Sequence, residues 1–350
     1  MDWQNTLLDW YEVHKRDFPW RQTKDPYKIW LSEVIMQQTR TQQGLPYYNA
    51  FIAAYPTVHD LANAQEATVL KFWQGLGYYS RARNLHTTAK YISEKRGGDF
   101  PDQFTTLLTL KGVGDYTASA IASIAFDLPH AVVDGNVYRV YARFFGIDIP
   151  LPSTVAFKIF KKLAQEVLPS KDPGTFNQAV MELGALQCVP QNPNCTVCPL
   201  VASCKAHQWE RVAQLPVKSK KPTITKRYFN YLVFRTPEGM WHLEQRHEPG
   251  IWHKLFQFPL VELKRQISRP NKVLLETVEK YTSNGEKPRQ WKPAFVHKLS
   301  HQHITIVFWY VQVTKFNHPL FTQDAVHSLA VPVPIANFLK EFNEKENSYI

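Results

Sequence analysis

Along residues 1–208 apolar positions recur at three- and four-residue spacing, most clearly in 60–74, 103–110, 117–126 and 155–167, and Gly and Pro break the runs. That period predicts a mostly helical region. After about residue 211 the character changes. Lys218, Lys220, Lys221, Lys226 and Arg227 stand with Pro216 and Pro222, which predicts a basic linker over 209–227. Beyond it the period is two. Residues 228–235 and 240–245 flank Thr236-Pro237-Glu238-Gly239 and predict a β-hairpin. Residues 303–313 predict a strand, and 271–281 and 334–344 short helices. The expected organisation is therefore a mostly α domain over 1–208 and an α+β domain over 228–350, with no internal repeat and no low-complexity segment.

Composition narrows the class. Hydrophobic residues make up 44% of the 350, enough for two cores, which excludes a disordered or fibrous chain. Lys and Arg number 41 against 30 Asp and Glu, a formal charge of +11, which favours a polyanionic partner such as nucleic acid over a neutral one. No basic segment followed by an apolar run opens the chain, and no apolar stretch is long enough to span a bilayer. The expectation is a cytoplasmic, nucleoid-associated protein whose cysteines form no structural disulfides.

All four cysteines fall in one window, Cys188, Cys195, Cys198 and Cys204, spaced C-x6-C-x2-C-x5-C. Four thiolates on one loop can wrap a metal centre, and both zinc and iron–sulfur clusters accept four sulfur ligands. The unequal gaps leave room for a bulky cluster, whereas structural zinc favours two C-x2-C knuckles. Pro190, Pro193 and Pro199 stiffen the loop.

Two further features carry chemistry. In Leu110-Lys111-Gly112-Val113-Gly114-Asp115 two glycines allow a tight turn between helices, a helix-hairpin-helix over about 103–126 whose backbone N–H groups can hold a phosphate oxygen. Glu33 lies in a helix that is apolar nearly all round, sharing a face with Ile29, Trp30 and Met36. It is either a structural partner of Arg21 or Arg40, or a buried acid with a raised pKa. Asp134 precedes a helix and reads as its N-cap, a role compatible with an ionised carboxylate facing a site. A buried acid beside an ionised carboxylate is the pair that glycosidic hydrolysis uses.

Together residues 26–39, 72–85, 110–118, 133–139 and 176–204 resemble the MutY-type adenine DNA glycosylases, in order, across residues 1–208. The resemblance implies the helix-hairpin-helix DNA glycosylase fold with one four-iron, four-sulfur cluster on the 188–204 loop. It implies a monomeric, monofunctional enzyme acting on duplex DNA that carries adenine opposite 8-oxoguanine or guanine. By it Glu33 protonates N7 of adenine and Asp134 stabilises the sugar cation, while Tyr116 and Asn136 orient Asp134 and the sugar. Gln38 and Tyr78 wedge into the duplex, and Gly112 and Gly114 contact its backbone. At position 116 endonuclease III-like relatives carry a Schiff-base lysine. A phenol cannot form an imine, so Tyr116 argues against a pyrimidine glycosylase with lyase activity, and Glu33 and Asp134 argue against a non-catalytic DNA-binding or redox-sensing protein.

The resemblance continues more faintly into the second domain, at 251–259 and 297–303, where it implies a Nudix-like module that senses 8-oxoguanine through Ser300 and His301. The family usually has Phe where this chain has Leu299. No R-E-x-x-E-E run follows residue 250, so binding without pyrophosphatase chemistry is expected. For His297 and His303 the simpler expectation is a turn feeding the 303–313 strand.

Overall fold

The computed structural model describes residues 2–219, 223–282 and 287–347. Its chain divides into two units, one of residues 1–63 and 84–220, the other of 64–83 and 221–350.

The first unit is helical. Its centre is the helix Pro26–Met36, in which every residue from Ile29 to Ile35 is buried. An element apolar all round can satisfy its surface only inside a layer of other helices, and Pro26–Met36 packs against Thr41–Ala54 and Asp115–Ala125. A second core joins Leu7 and Tyr11 of Trp3–His14 to Val137, Val140 and Tyr141 of Gly135–Phe144 and to Phe176, Val180 and Leu183 of Pro173–Leu186. The 211–219 stretch is no free tether. Leu151 N–H donates to Val217 O at 2.9 Å and Ser219 N–H to Leu151 O at 2.8 Å, tying it to this unit. Lys220, Lys221 and Pro222 lie outside the described residues.

The second unit carries strands β1 (Thr225–Arg235), β2 (Glu244–Gln245), β3 (Phe256–Gln257), β4 (Leu260–Leu263), β5 (Arg289–Gln290), β6 (Phe295–Lys298) and β7 (Gln302–Gln312). The main sheet has the order β4-β1-β7-β5, with β6 also on β7. β1 and β7 run parallel, from Thr225↔Gln302 to Arg235↔Gln312. Leu232, Phe234, Val307 and Trp309 face Leu274 and Val278 of the helix Lys272–Tyr281. On the opposite face Phe308 meets Phe258 and Phe338, the latter in the helix Val333–Asn347. Both faces are covered, which is why the two long strands read as nearly continuous apolar runs.

The expected hairpin is only half formed. Its turn closes, with Gly239 N–H donating to Thr236 O at 3.0 Å, and Trp241 bridges Arg235. The 240–245 arm then leaves, and β2 pairs with β3. The place beside β1 goes to β4 and β7, whose apolar side chains extend the core on both faces; a local turn cannot outbid that burial.

Residues 64–83 are tied within this second unit. Lys254 Nζ meets Glu66 at 2.6 Å, Lys71 Nζ donates to Leu329 O at 3.0 Å, and Val331 N–H donates to Gln74 Oε1 at 3.2 Å.

Candidate active site

The Pro26–Met36 helix begins with Asp25, whose Oδ1 accepts the Tyr27 N–H at 2.9 Å, and has Pro26 in its first turn, a start that needs no tertiary help. Glu33 projects from its buried middle. It is 8% exposed, and among the described residues its Oε2 has no hydrogen-bond partner. Burial pushes the carboxyl up to about 7. The Tyr116 hydroxyl beside it pulls the other way, the charge of Asp134 adds to the rise, and Arg21 opposes it. Arg21 is not a salt-bridge partner of Glu33, since it pairs with Glu182. The buried-acid reading is the one the geometry supports.

Asp134 caps the helix Gly135–Phe144. Its Oδ1 accepts the Val137 N–H at 2.7 Å and its Oδ2 accepts Asn136 Nδ2 at 2.8 Å. Burial raises its pKa, and those hydrogen bonds and Arg139 oppose the rise. Asn136 is held in turn by Arg139 Nη2 at 2.8 Å. Tyr116 stands in the first turn of Asp115–Ala125. Burial and both carboxylates push its phenol well above the ordinary value, so it is a neutral donor. Glu33, Tyr116 and Asp134 therefore meet at one place, each within electrostatic reach of the others.

Close packing supports this group. A Cβ on Gly184 would lie 2.6 Å from Asn136 Cβ, so only glycine lets Pro173–Leu186 approach so near. From the same helix Met181 Sδ takes the Tyr116 hydroxyl at 3.8 Å. Next to it Glu182 binds Arg16 at 2.7 Å and Arg21 at 2.9 Å. Burial alone would raise the Glu182 pKa, but the arginine hydrogen bonds outweigh it and hold the carboxyl at about 2. Sequence reasoning missed this clamp. The signal was present, because Glu182 sits among buried Ala179, Val180 and Leu183 as Glu33 sits among Ile29, Trp30 and Val34.

Phe104–Leu107, a glycine turn and Asp115–Ala125 form the helix-hairpin-helix. Gly112 has φ +82°, and a Cβ there would strike Asn84 Cβ at 2.7 Å. Among the described residues the N–H groups of Gly112 and Gly114 meet no acceptor, leaving them for an anion at the helix start. Gln38 follows the Pro26–Met36 helix, exposed, at φ +56°.

In the second unit Tyr78 is also left-handed, at φ +46°, and 44% exposed. Its neighbour Tyr79 is buried, with its hydroxyl accepting the Gly75 N–H at 3.3 Å. Ser300 and His301 are exposed in the tight turn joining β6 to β7, closed by Leu299 N–H on Gln302 O at 2.8 Å. His297 and His303 lie in those strands. The Tyr78 hydroxyl and Ser300 Oγ are 2.7 Å apart, and His301 Nδ1 is 3.2 Å from Ser300 Oγ. A cleft here is lined by Tyr78, Arg83, Trp252, Leu299, Ser300 and His301.

Cys188, Cys195, Cys198 and Cys204 are unoxidised, half-buried and line one pocket with Arg143. Burial pushes Cys198 up to about 11, with the neighbouring thiols adding to the rise, and Cys195 and Cys204 move the same way. Arg143 Nη1 lies 3.4 Å from Cys188 Sγ and donates to Val189 O at 2.8 Å, while Arg139 Nε donates to Cys188 O at 2.7 Å. The helix capped by Asp134 thus also anchors the cysteine loop.

Curated relatives match nearly the whole chain. The adenine DNA glycosylase of Buchnera aphidicola subsp. Schizaphis graminum is 31% identical, covering 96% of this chain and 97% of the relative. That of Buchnera aphidicola subsp. Baizongia pistaciae is 36% identical, covering 85% and 82%. This chain belongs to the adenine DNA glycosylases. It is a base-excision repair enzyme acting on adenine in DNA. Residues 31–166 of the glycosylase match the HhH-GPD superfamily of base excision DNA repair proteins, and residues 230–341 match the NUDIX domain. The solved structure of a thermostable thymine-DNA glycosylase shares the helical fold, with 28% identity and a TM-score of 0.54 over 59% of this chain and 95% of that one. The helical and α+β architecture expected from the pattern is the one found.

Proposed function

We propose that the enzyme hydrolyses the N-glycosidic bond of adenine mispaired with 8-oxoguanine, and more slowly with guanine, without cutting the strand. One observation carries the reading: the enclosed Glu33 carboxyl, titrating near 7 with an oxygen that no group among the described residues satisfies, faces Asp134 and Tyr116.

Adenine must first leave the stack, which costs a few kcal/mol. Gln38 and Tyr78, exposed on left-handed backbone, are the wedges. Such backbone is strained for these residue types and persists where position matters. Protonated Glu33 gives its proton to N7, and the C1′–N9 electron pair leaves with the base. The Asp134 carboxylate, oriented by Asn136, stabilises the resulting oxocarbenium ion through a transient adduct at C1′. Tyr116 holds the site's geometry by hydrogen bonding. Water then attacks C1′ and gives its proton to the Glu33 carboxylate as the Asp134–C1′ bond breaks, leaving an abasic sugar and both carboxyl groups in their starting states. No lysine stands at position 116 to trap the sugar as an imine. Gly112 and Gly114 hold a phosphate, while Ser300 and His301 read the base opposite adenine. The second unit recognises and does not cleave pyrophosphate.

The four cysteines suit one four-iron, four-sulfur cluster. They line one pocket with Arg143, and an all-sulfur set with the unequal spacing C-x6-C-x2-C-x5-C suits a bulky multi-iron centre better than the paired C-x2-C knuckles of structural zinc. That centre would supply folding energy and shape to the loop. Purified protein is expected to contain ~4 iron atoms per chain. Cys198→Ser should lose them together with affinity for an uncleavable duplex. Stoichiometric zinc in place of iron would refute the assignment.

Single-turnover base release from duplexes bearing adenine opposite 8-oxoguanine, guanine and thymine tests the substrate. The 8-oxoguanine duplex should react about tenfold or more faster than the guanine duplex, since the recognition groups lose a hydrogen-bond partner in the latter. Equal rates on all three would overturn the specificity while leaving adenine excision in place.

A further inference from the structure

The loop that presents Tyr78 is held in a conformation its sequence alone disfavours. Gly75 has φ +105° and Gly77 φ +75°, and Tyr78, which has a side chain to clash, sits at φ +46°. Three departures from right-handed backbone within four residues need an external hold. Trp73 Nε1 donates to Gly77 O at 3.0 Å. The Tyr79 hydroxyl takes the Gly75 N–H at 3.3 Å, and a further side chain grips the carbonyls of the turn. Arg81, only 9% exposed, lies in the first turn of the following helix, Ser80–Arg96. Its Nη2 donates to Leu76 O at 3.3 Å and to Gly77 O at 3.2 Å. Its guanidinium carbon is 5.0 Å from the Trp73 ring centroid and 5.9 Å from that of Tyr78. Burial lowers its pKa to about 10, and it still carries its charge at neutral pH.

We infer that Arg81 is a positioning residue for base extrusion: its guanidinium clamps the 75–78 backbone and props the Tyr78 ring, so that the wedge enters the duplex already ordered. The inference rests on the reading of Tyr78 as a wedge. It adds the reason an exposed tyrosine on strained backbone can insert without first paying to become ordered. Lysine cannot replace the clamp. It is a point charge without the flat guanidinium that lies against two rings while one of its nitrogens donates to two carbonyls.

A double-mutant cycle tests this with full-length protein, using single-turnover excision from an adenine:8-oxoguanine duplex. The variants are Tyr78→Leu, Arg81→Lys and their combination. Arg81→Lys should slow excision roughly tenfold with the pH profile unmoved, because the acid is elsewhere. Adding it to Tyr78→Leu should slow excision no further. A second perturbation guards against a folding defect. A Cβ on Gly77 would meet nothing within 4 Å, so Gly77→Ala disturbs the same loop through backbone strain alone, and its defect should likewise vanish in the Tyr78→Leu background. If Tyr78→Leu alone reacts at the wild-type rate, the wedge reading fails. If it is slow but either second substitution multiplies its defect, the wedge stands and the positioning role of Arg81 is wrong.

Discussion

Glu33→Gln is expected to abolish adenine release, bind duplex normally, and make the protein more stable in alkali. The amide fits the same buried space but cannot deliver a proton to N7, and loss of a positioned acid costs roughly 10²–10⁴-fold in rate. In the wild type the working form is protonated, so single-turnover excision should fall as pH rises through about 7. The stability effect has the same sense. Folded Glu33 titrates near 7 and the unfolded residue near the ordinary 4.5. Between those values the folded state binds more protons, so its stability declines as pH rises, and the full penalty is present above pH 7. A glutamine never ionises. From pH 4 to pH 8 the variant should therefore gain about 3 kcal/mol on the wild type, by order of magnitude. Denaturant melts at the two pH values measure this. A catalytically dead variant with no such gain would mean that Glu33 is paired in solution and that the orphaned oxygen has been misread.

The second large effect is expected from Asp134→Asn. Asparagine is also a good N-cap and can still accept the Val137 N–H, so stability should change by less than about 1 kcal/mol. What disappears is the negative charge facing C1′. Removing a preorganised electrostatic partner of the transition state costs roughly 10²–10³-fold. The coupling of the two carboxylates adds a second readout. The charge of Asp134 contributes to the raised pKa of Glu33, so in the variant the alkaline limb of the residual activity should move to lower pH. A rate within about tenfold of wild type would remove Asp134 from the chemistry and leave it a helix cap.

The helical pattern of residues 1–208 and the strand at 303–313 were legible because each element carries its own period and, for the main helices, its own cap. Glu33 was legible because a carboxylate in a run such as Ile29-Trp30-Leu31 violates that period. Glu182 sat in the same kind of run and went unread, since its meaning depends on Arg16 and Arg21, far away in the chain. The 240–245 arm reads from sequence as half of a regular hairpin because its turn chemistry is sound, while the competing partners of β1 lie 29 to 77 residues away in register.

By itself, then, the order of residues determined local elements, the glycine turn at 112–114, the grouping of four thiols, and which positions could carry acid, anion and metal chemistry. Only the tertiary structure decided that among the described residues Glu33 forms no salt bridge, that Asp134 and Tyr116 stand within its electrostatic reach, and that Tyr78 meets Ser300. Periodicity and capping act over a few bonds and are written locally. A raised pKa or a shared site is a property of the space between side chains, and that space exists only once distant segments have packed.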